Sequence, residues 1–125
     1  MNKHLLIVED DELVQSLLAA YMQSEGFKVS LATTGKEMLA CIDSEAIDLV
    51  LLDLGLPDET GMEILQKLKS EKALQQMKVV VFSGSKSTKN MSKAKELGAE
   101  WYFVKPDNPS DLRYIAQELV AISTR

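Results

Sequence analysis

Residues 48–53 read Asp-Leu-Val-Leu-Leu-Asp, and residues 78–83 read Lys-Val-Val-Val-Phe-Ser. Each holds four apolar residues in succession between polar ends, with no alternation of polar and apolar. That is the pattern of short strands buried on both faces, as in the middle of a parallel sheet. The paired runs are Asp48 to Leu52 and Lys78 to Phe82; similar runs occur at His4 to Val8, Lys28 to Leu31 and Trp101 to Val104.

Segments of helical periodicity separate these five runs. Leu13, Leu17 and Tyr21 recur at four-residue spacing beside Val14, Leu18 and Met22, with Gly26 as a stop signal. Further stripes run through Met38, Leu39 and Ile42, through Met62, Leu65 and Leu68, through Met91, Ala94 and Leu97, and through Leu112, Ile115, Leu119 and Ile122. Gly98 and Pro109 punctuate the last two units. Parallel neighbours need crossover connections, so strict alternation of strand and helix predicts an open (βα)5 sheet covered by helices on both sides. No linker, repeat or low-complexity segment interrupts it, and residues 1–125 read as one domain. Ser123 to Arg125 form either a tail or the start of a linker.

The 125 residues suit one compact unit with a real core. Cys41 is the sole cysteine and cannot form an internal disulfide; inside a helical pattern it reads as a small core hydrophobe. No signal-like apolar stretch or twenty-residue apolar run is present, so a cytoplasmic protein without membrane association is expected. The formal charge of −5 predicts a surface that repels nucleic acid, and DNA binding by this chain alone is not expected.

In open α/β sheets, ligands gather at the carboxyl ends of the strands. Glu9, Asp10 and Asp11 follow the first run, Asp53 the third, Ser83 the fourth and Lys105 the fifth. Only Ala32, Thr33, Thr34 and Gly35 follow the second, which places that strand at an edge, away from the site. A lone strand-end Asp is commonly no more than a helix cap. Carboxylates, a hydroxyl and an ammonium converging from four strand ends are harder to explain that way. Crowded carboxylates need a cation, and a hard one such as Mg2+ takes carboxylate, water and phosphate oxygens. Lys105 can pair with a carboxylate in the empty pocket and with a phosphate oxygen in the loaded one.

The ordered set Glu9-Asp10, Asp53, Pro57, Gly61, Ser83-Gly84 and Lys105-Pro106 resembles the response-regulator receiver family, including its single-domain chemotaxis regulators, over essentially the whole chain. The resemblance implies a flavodoxin-like fold with strand order 2-1-3-4-5. It implies that Asp53 accepts a phosphoryl group from the phosphohistidine of a sensor histidine kinase or phosphotransfer protein. It further implies a Mg2+ site of Glu9, Asp10, Asp53 and the Gly55 carbonyl, with Ser83, Lys105 and the Gly84 amide on the phosphoryl oxygens. Tyr102, three residues before Lys105, falls at the family's aromatic switch position. Such a domain is not an enzyme in the usual sense, since it catalyses only its own phosphorylation and dephosphorylation. Its readout, including a phosphorylation-dependent homodimer, would use the fourth helix, fifth strand and fifth helix. The Met1-Asn2-Lys3 start suits an N-terminal receiver.

Several residues depart from common family patterns: Gly55 and Ser85 are small, Trp101 stands where an acid is common, and Asp107 follows Lys105-Pro106. Rival readings fare worse. A haloacid-dehalogenase-type enzyme wants a second Asp where Gly55 stands, together with a cap insertion. A dinucleotide-binding module wants a glycine-rich turn where Glu9-Asp10-Asp11 stands. A purely structural module has no need of Asp53, Ser83 and Lys105 together. His4, at the far end of the first strand, reads as a solvent-facing residue and not a phosphorelay histidine.

Overall fold

The structure, a computed structural model, describes residues 3–58, 60–71 and 77–125. Met1 and Asn2 lie outside the described residues. Five strands alternate with five helices: β1 (His4–Val8), α1 (Glu12–Ser24), β2 (Lys28–Ala32), α2 (Gly35–Ser44), β3 (Leu49–Asp53), α3 (Gly61–Ser70), β4 (Lys78–Ser83), α4 (Thr88–Glu96), β5 (Trp101–Val104) and α5 (Leu112–Ser123). A 3-10 turn at Pro109–Asp111 leads into α5.

All strand pairs are parallel, in the order β2-β1-β3-β4-β5, which is the doubly wound flavodoxin-like sheet expected. Every residue of β1 and β3 is buried, whereas β2 is partly exposed along most of its length, as an edge strand should be. Successive side chains point to opposite faces, so one strand feeds two cores. Leu6, Val8, Val50, Leu52, Val79 and Val81 pack with Met38, Ile64, Leu65, Leu68 and Ala94 from α2, α3 and α4, and with Leu97 just past the end of α4. Leu5, Ile7, Leu49, Leu51, Val80 and Phe82 pack with Leu18, Met22, Ile115, Leu119 and Ile122 from α1 and α5. Each such Val, Leu, Ile, Met or Phe side chain stabilises the fold by about 1.5–3 kcal/mol relative to exposure. No helix is long and apolar enough to cross a membrane, among the described residues.

Because each helix returns antiparallel to the strands, helix starts lie beside the strand carboxyl ends. Four are capped by side chains: Asp11 Oδ1 accepts from Val14 N at 3.1 Å, Thr34 Oγ1 from Glu37 N at 3.1 Å, Thr60 Oγ1 from Glu63 N at 3.2 Å, and Ser87 Oγ from Asn90 N at 3.3 Å. At the opposite ends, Gly26 and Gly98 leave α1 and α4 with φ of 94° and 101°, a backbone region that favours glycine.

Three sequence expectations change. First, β3 starts at Leu49, and β2, β3 and β4 each run one residue further than expected, so Ala32, Asp53 and Ser83 are the last residues of their strands, paired with Val8, Phe82 and Val104. Second, the buried face of α1 is Gln15, Leu18, Ala19 and Met22, at spacings of three, four and seven. Leu13 lies nearly opposite that face and is 58% exposed. Third, His4 is buried rather than solvent-facing. The inner position of β1 covers it, and its Nε2 lies 2.7 Å from Ser30 Oγ, which donates to Glu45 Oε1 at 3.1 Å.

Candidate functional site

The carboxyl ends of β1, β3, β4 and β5 bring Glu9, Asp10, Asp53, Ser83 and Lys105 to one rim of the sheet. Glu9 and Asp53 are only 1% and 3% exposed, while Asp10 stands open to solvent. Lys105 Nζ lies 3.1 Å from Asp53 Oδ2, 3.0 Å from Glu9 Oε2 and 3.2 Å from Glu9 Oε1. One ammonium therefore bridges two buried carboxylates. Phe82 supports the same charge from beneath, with its ring centroid 5.3 Å from Nζ.

The carboxylates are also held from the backbone. Asp53 Oδ1 accepts from Gly55 N at 2.9 Å, and Glu9 Oε1 accepts from Asp11 N at 3.1 Å. Burial, and then the negative charge of Asp53, push the Glu9 carboxyl above its usual value, against the opposing pull of Lys105. Burial by itself would lower the Lys105 ammonium. Its bonds and charge contacts with Glu9 and Asp53 outweigh that and raise it. Lys105 stays charged, and it is one positive group facing two buried acids.

A divalent cation fits this donor set. Glu9, Asp10 and Asp53 each offer a carboxylate oxygen, all within 4.8 Å of one another. Glu9 Oε2, although near Lys105, has no hydrogen-bond partner, so a buried oxygen is left with unused capacity. Gly55 is exposed on the loop directly after Asp53. All the donors are oxygens, which suits Mg2+, Mn2+ or Ca2+ rather than a thiophilic metal.

On the other side of the pocket, Ser83 is buried and its Oγ accepts from Ser85 N at 3.1 Å. The Ser85 carbonyl accepts from Tyr102 Oη at 2.9 Å, and the Ser85 hydroxyl accepts from Asn90 Nδ2 at 3.1 Å. Ser83 and Tyr102 thus meet through Ser85. Tyr102 is half-buried against the core beneath α4. Sequence reasoning noted Ser85 only as a small residue, and it missed Gln15 and Asp58, whose side chains hold the backbone around the pocket.

The response regulator receiver domain family model matches residues 5–117. The chain is 33% identical over 110 residues to the two-component response regulator ORR11 of Oryza sativa subsp. indica, covering 87% of this chain and 75% of that protein. It is 32% identical over 121 residues to the probable transcriptional regulator ycf29 of Pyropia yezoensis, covering 97% of this chain but spanning only 54% of the relative's length. Among solved structures, a CheY-like response regulator receiver domain protein from Methanospirillum hungatei JF-1 superimposes with a TM-score of 0.82 at 33% identity, covering 99% of this chain and 98% of that one. The chain belongs to the response regulator receiver domain family, the phosphoacceptor domains of two-component signalling.

Proposed function

We propose that Asp53 is the phosphoacceptor of this receiver domain, and that Glu9, Asp10, Asp53 and the Gly55 carbonyl hold Mg2+ beside it. The observation that carries the reading is the contact of Lys105 with both Glu9 and Asp53 in a buried acidic pocket at the strand ends. The phosphodonor is the phosphohistidine of a sensor histidine kinase or phosphotransfer protein. A carboxylate oxygen of Asp53 attacks phosphorus, the new P–O bond forms as the P–N bond breaks, and the electron pair leaves with the histidine imidazole. Bonds to Gly55 N and Lys105 fix the carboxylate's orientation, which removes much of the entropic cost of an in-line approach. Lys105 can exchange Asp53 for a phosphoryl oxygen without leaving the pocket. Ser83 Oγ and the Gly84 amide, at the end of β4, serve the remaining oxygens. When bound, Mg2+ supplies the charge neutralisation that phosphoryl transfer requires.

The catalysis is confined to the chain's own phosphorylation and dephosphorylation. The unit extends over residues 1–125, a reading supported by Lys3 Nζ, which donates to Ser123 O at 2.6 Å and ties the start of the sheet to the end of α5. Its setting is the cytoplasm. The readout surface is formed by α4, β5 and α5, where Trp101 and Tyr114 are 53% and 59% exposed. A cleft of about 600 Å³ lined by Met91, Ala94, Lys95, Trp101 and Tyr102 opens there, and a phosphorylation-dependent homodimer would use this face.

Incubation with acetyl phosphate tests the assignment. Intact-mass spectrometry should show one phosphoryl group on the wild type with Mg2+, none with excess chelator and none on Asp53→Asn. Equal labelling of wild type and Asp53→Asn would exclude Asp53 as the acceptor.

A further inference from the structure

The candidate cation ligands sit at or just beyond the ends of the strand ladders: Asp53 closes its ladder opposite Phe82, while Glu9, Asp10 and Gly55 lie on the turns that follow β1 and β3. Both turns are tied to one short segment, residues 32–36, which joins β2 to α2 and contributes no group to the pocket. Gln15, buried in α1, donates from Nε2 to Glu9 O and to Ala32 O, each at 3.1 Å. Glu9 N also donates to Ala32 O at 3.0 Å, so Gln15 locks the β1–α1 turn against the end of the edge strand.

The loop after β3 is held by a different device. Asp58 Oδ1 accepts from Gly35 N at 2.8 Å and Asp58 Oδ2 from Lys36 N at 3.1 Å. These are the first two amides of α2, and the cap residue Thr34 does not serve them because its hydroxyl is bonded to Glu37 N. A carboxylate is favoured there by the helix dipole. At its other end the loop is closed by Gly61 N donating to Leu54 O at 2.9 Å. A Cβ on Gly61 would stand 2.7 Å from Leu54 Cα and 2.8 Å from Asp53 O, so the close approach requires glycine.

We infer that Gln15 and Asp58 are positioning residues that set the pocket's affinity for its divalent cation, with the β2–α2 junction as their common anchor. The inference rests on the reading of Glu9, Asp10 and Asp53 as a Mg2+ site. Without the two ties, repulsion from Asp53 would push the Glu9-Asp10 turn outward, and the loop bearing Gly55 would lose its anchor on α2. A cation that demands near-octahedral geometry would then have to reassemble them from its own binding energy.

The test is calorimetric titration of Mg2+ into the full chain, with thermal melts and acetyl phosphate labelling of the same samples. Asp58→Ala and Gln15→Ala should each weaken Mg2+ binding by about tenfold, the scale seen when supports of metal ligands are removed. Asp58→Asn, which keeps one acceptor oxygen, should fall between wild type and Asp58→Ala. The Mg2+ concentration for half-maximal labelling should rise by the same factor, while the maximal rate falls far less. Asp58 lies on an exposed loop, so its variants fold even if Gln15→Ala does not. A lowered melting temperature with unchanged Mg2+ affinity in Asp58→Ala and Asp58→Asn would mark a merely structural tie and overturn the inference. Failure of the wild type to take up Mg2+ would overturn the reading of the pocket itself, and the inference with it.

Discussion

Glu9 is nearly sealed from solvent, and one of its oxygens has no hydrogen-bond partner. Charging such a carboxylate is costly, and Lys105, shared with Asp53, offsets only part of that cost when no metal cation is bound. Burial foremost, then Asp53, hold its carboxyl above the usual 4.5, so the folded state binds its proton more tightly than the unfolded chain does. The sign follows from linkage: this residue's contribution is most favourable below about pH 4.5 and is lost as pH rises through the folded value. Glu9→Gln removes the dependence while preserving shape. At neutral pH without divalent cations it should be more stable than wild type by on the order of 1 kcal/mol, and the gap should shrink as pH falls towards 4.5. Urea denaturation at several pH values in chelator reads this directly, and a gap independent of pH would contradict it. Lys105 runs the other way within the same pocket. Its raised ammonium stabilises the fold fully below about 10.5, and that support is lost as pH rises through the folded value. Lys105→Met should therefore lower the melting temperature at neutral pH, and much less so in a Glu9→Gln background, where one of the two acids it offsets is already neutral.

At the scale of elements, the end of α5 shows how distant residues complete a helix. Its last turn holds no basic side chain, yet Lys3 Nζ donates to Ser123 O and Lys78 Nζ donates to Ile122 O at 2.9 Å. Two strand-end ammonium groups thus serve carbonyls at the negative end of the helix dipole. Lys78→Met should cost about 1 kcal/mol, read as a lower urea midpoint with an unchanged slope; an unmoved midpoint would show the contact to be ornamental. The strands were legible in the sequence because burial on both faces leaves unbroken apolar runs at 49–52 and 79–82. The acidic pair, Asp53, Ser83 and Lys105 were legible because a parallel sheet gathers the residues at its strands' carboxyl ends along one rim. The rotation of α1 was not. Its inner face contains Gln15, a polar residue satisfied by Glu9 O and by Ala32 O, seventeen positions away, so hydrophobic periodicity favoured the Leu13 side. His4 failed for a similar reason, since its partner Ser30 lies on the neighbouring strand. Asp58 was equally invisible because its partners, Gly35 and Lys36, come together with it only once β2-α2 and β3-α3 lie side by side.

Across the whole molecule, the pocket and the exposed face of β5 are joined by a short run of hydrogen bonds. Ser83 Oγ accepts from Ser85 N, and Tyr102 Oη donates to Ser85 O. A phosphoryl group on Asp53 would accept a hydrogen bond from the Ser83 hydroxyl and draw Ser83 Oγ towards it, which would strain the bond that Ser83 Oγ accepts from Ser85 N, and Tyr102 is attached to the same residue. The helix above this loop is thinly anchored, since Ala94 is the one buried residue within α4. The phosphoryl group can shift the balance between the two arrangements only by what it gains in one over the other, and on the proposed reading Ser83 and Lys105 would supply that difference. Trp101, the sole tryptophan, adjoins Tyr102 on β5 and is half exposed, so its emission reports the surroundings of this face. Beryllofluoride with Mg2+, which mimics the phosphoryl group, should change Trp101 fluorescence and promote self-association in sedimentation. Ser83→Ala should weaken both responses while leaving Mg2+ affinity largely intact, because Ser83 is not among the cation's donors. Tyr102→Phe, which lacks the hydroxyl bonded to Ser85, should alter the resting emission and uncouple it from the pocket. Identical spectra and sedimentation with and without beryllofluoride, under conditions where its occupancy at Asp53 is verified, would show that the path through Ser85 carries no signal.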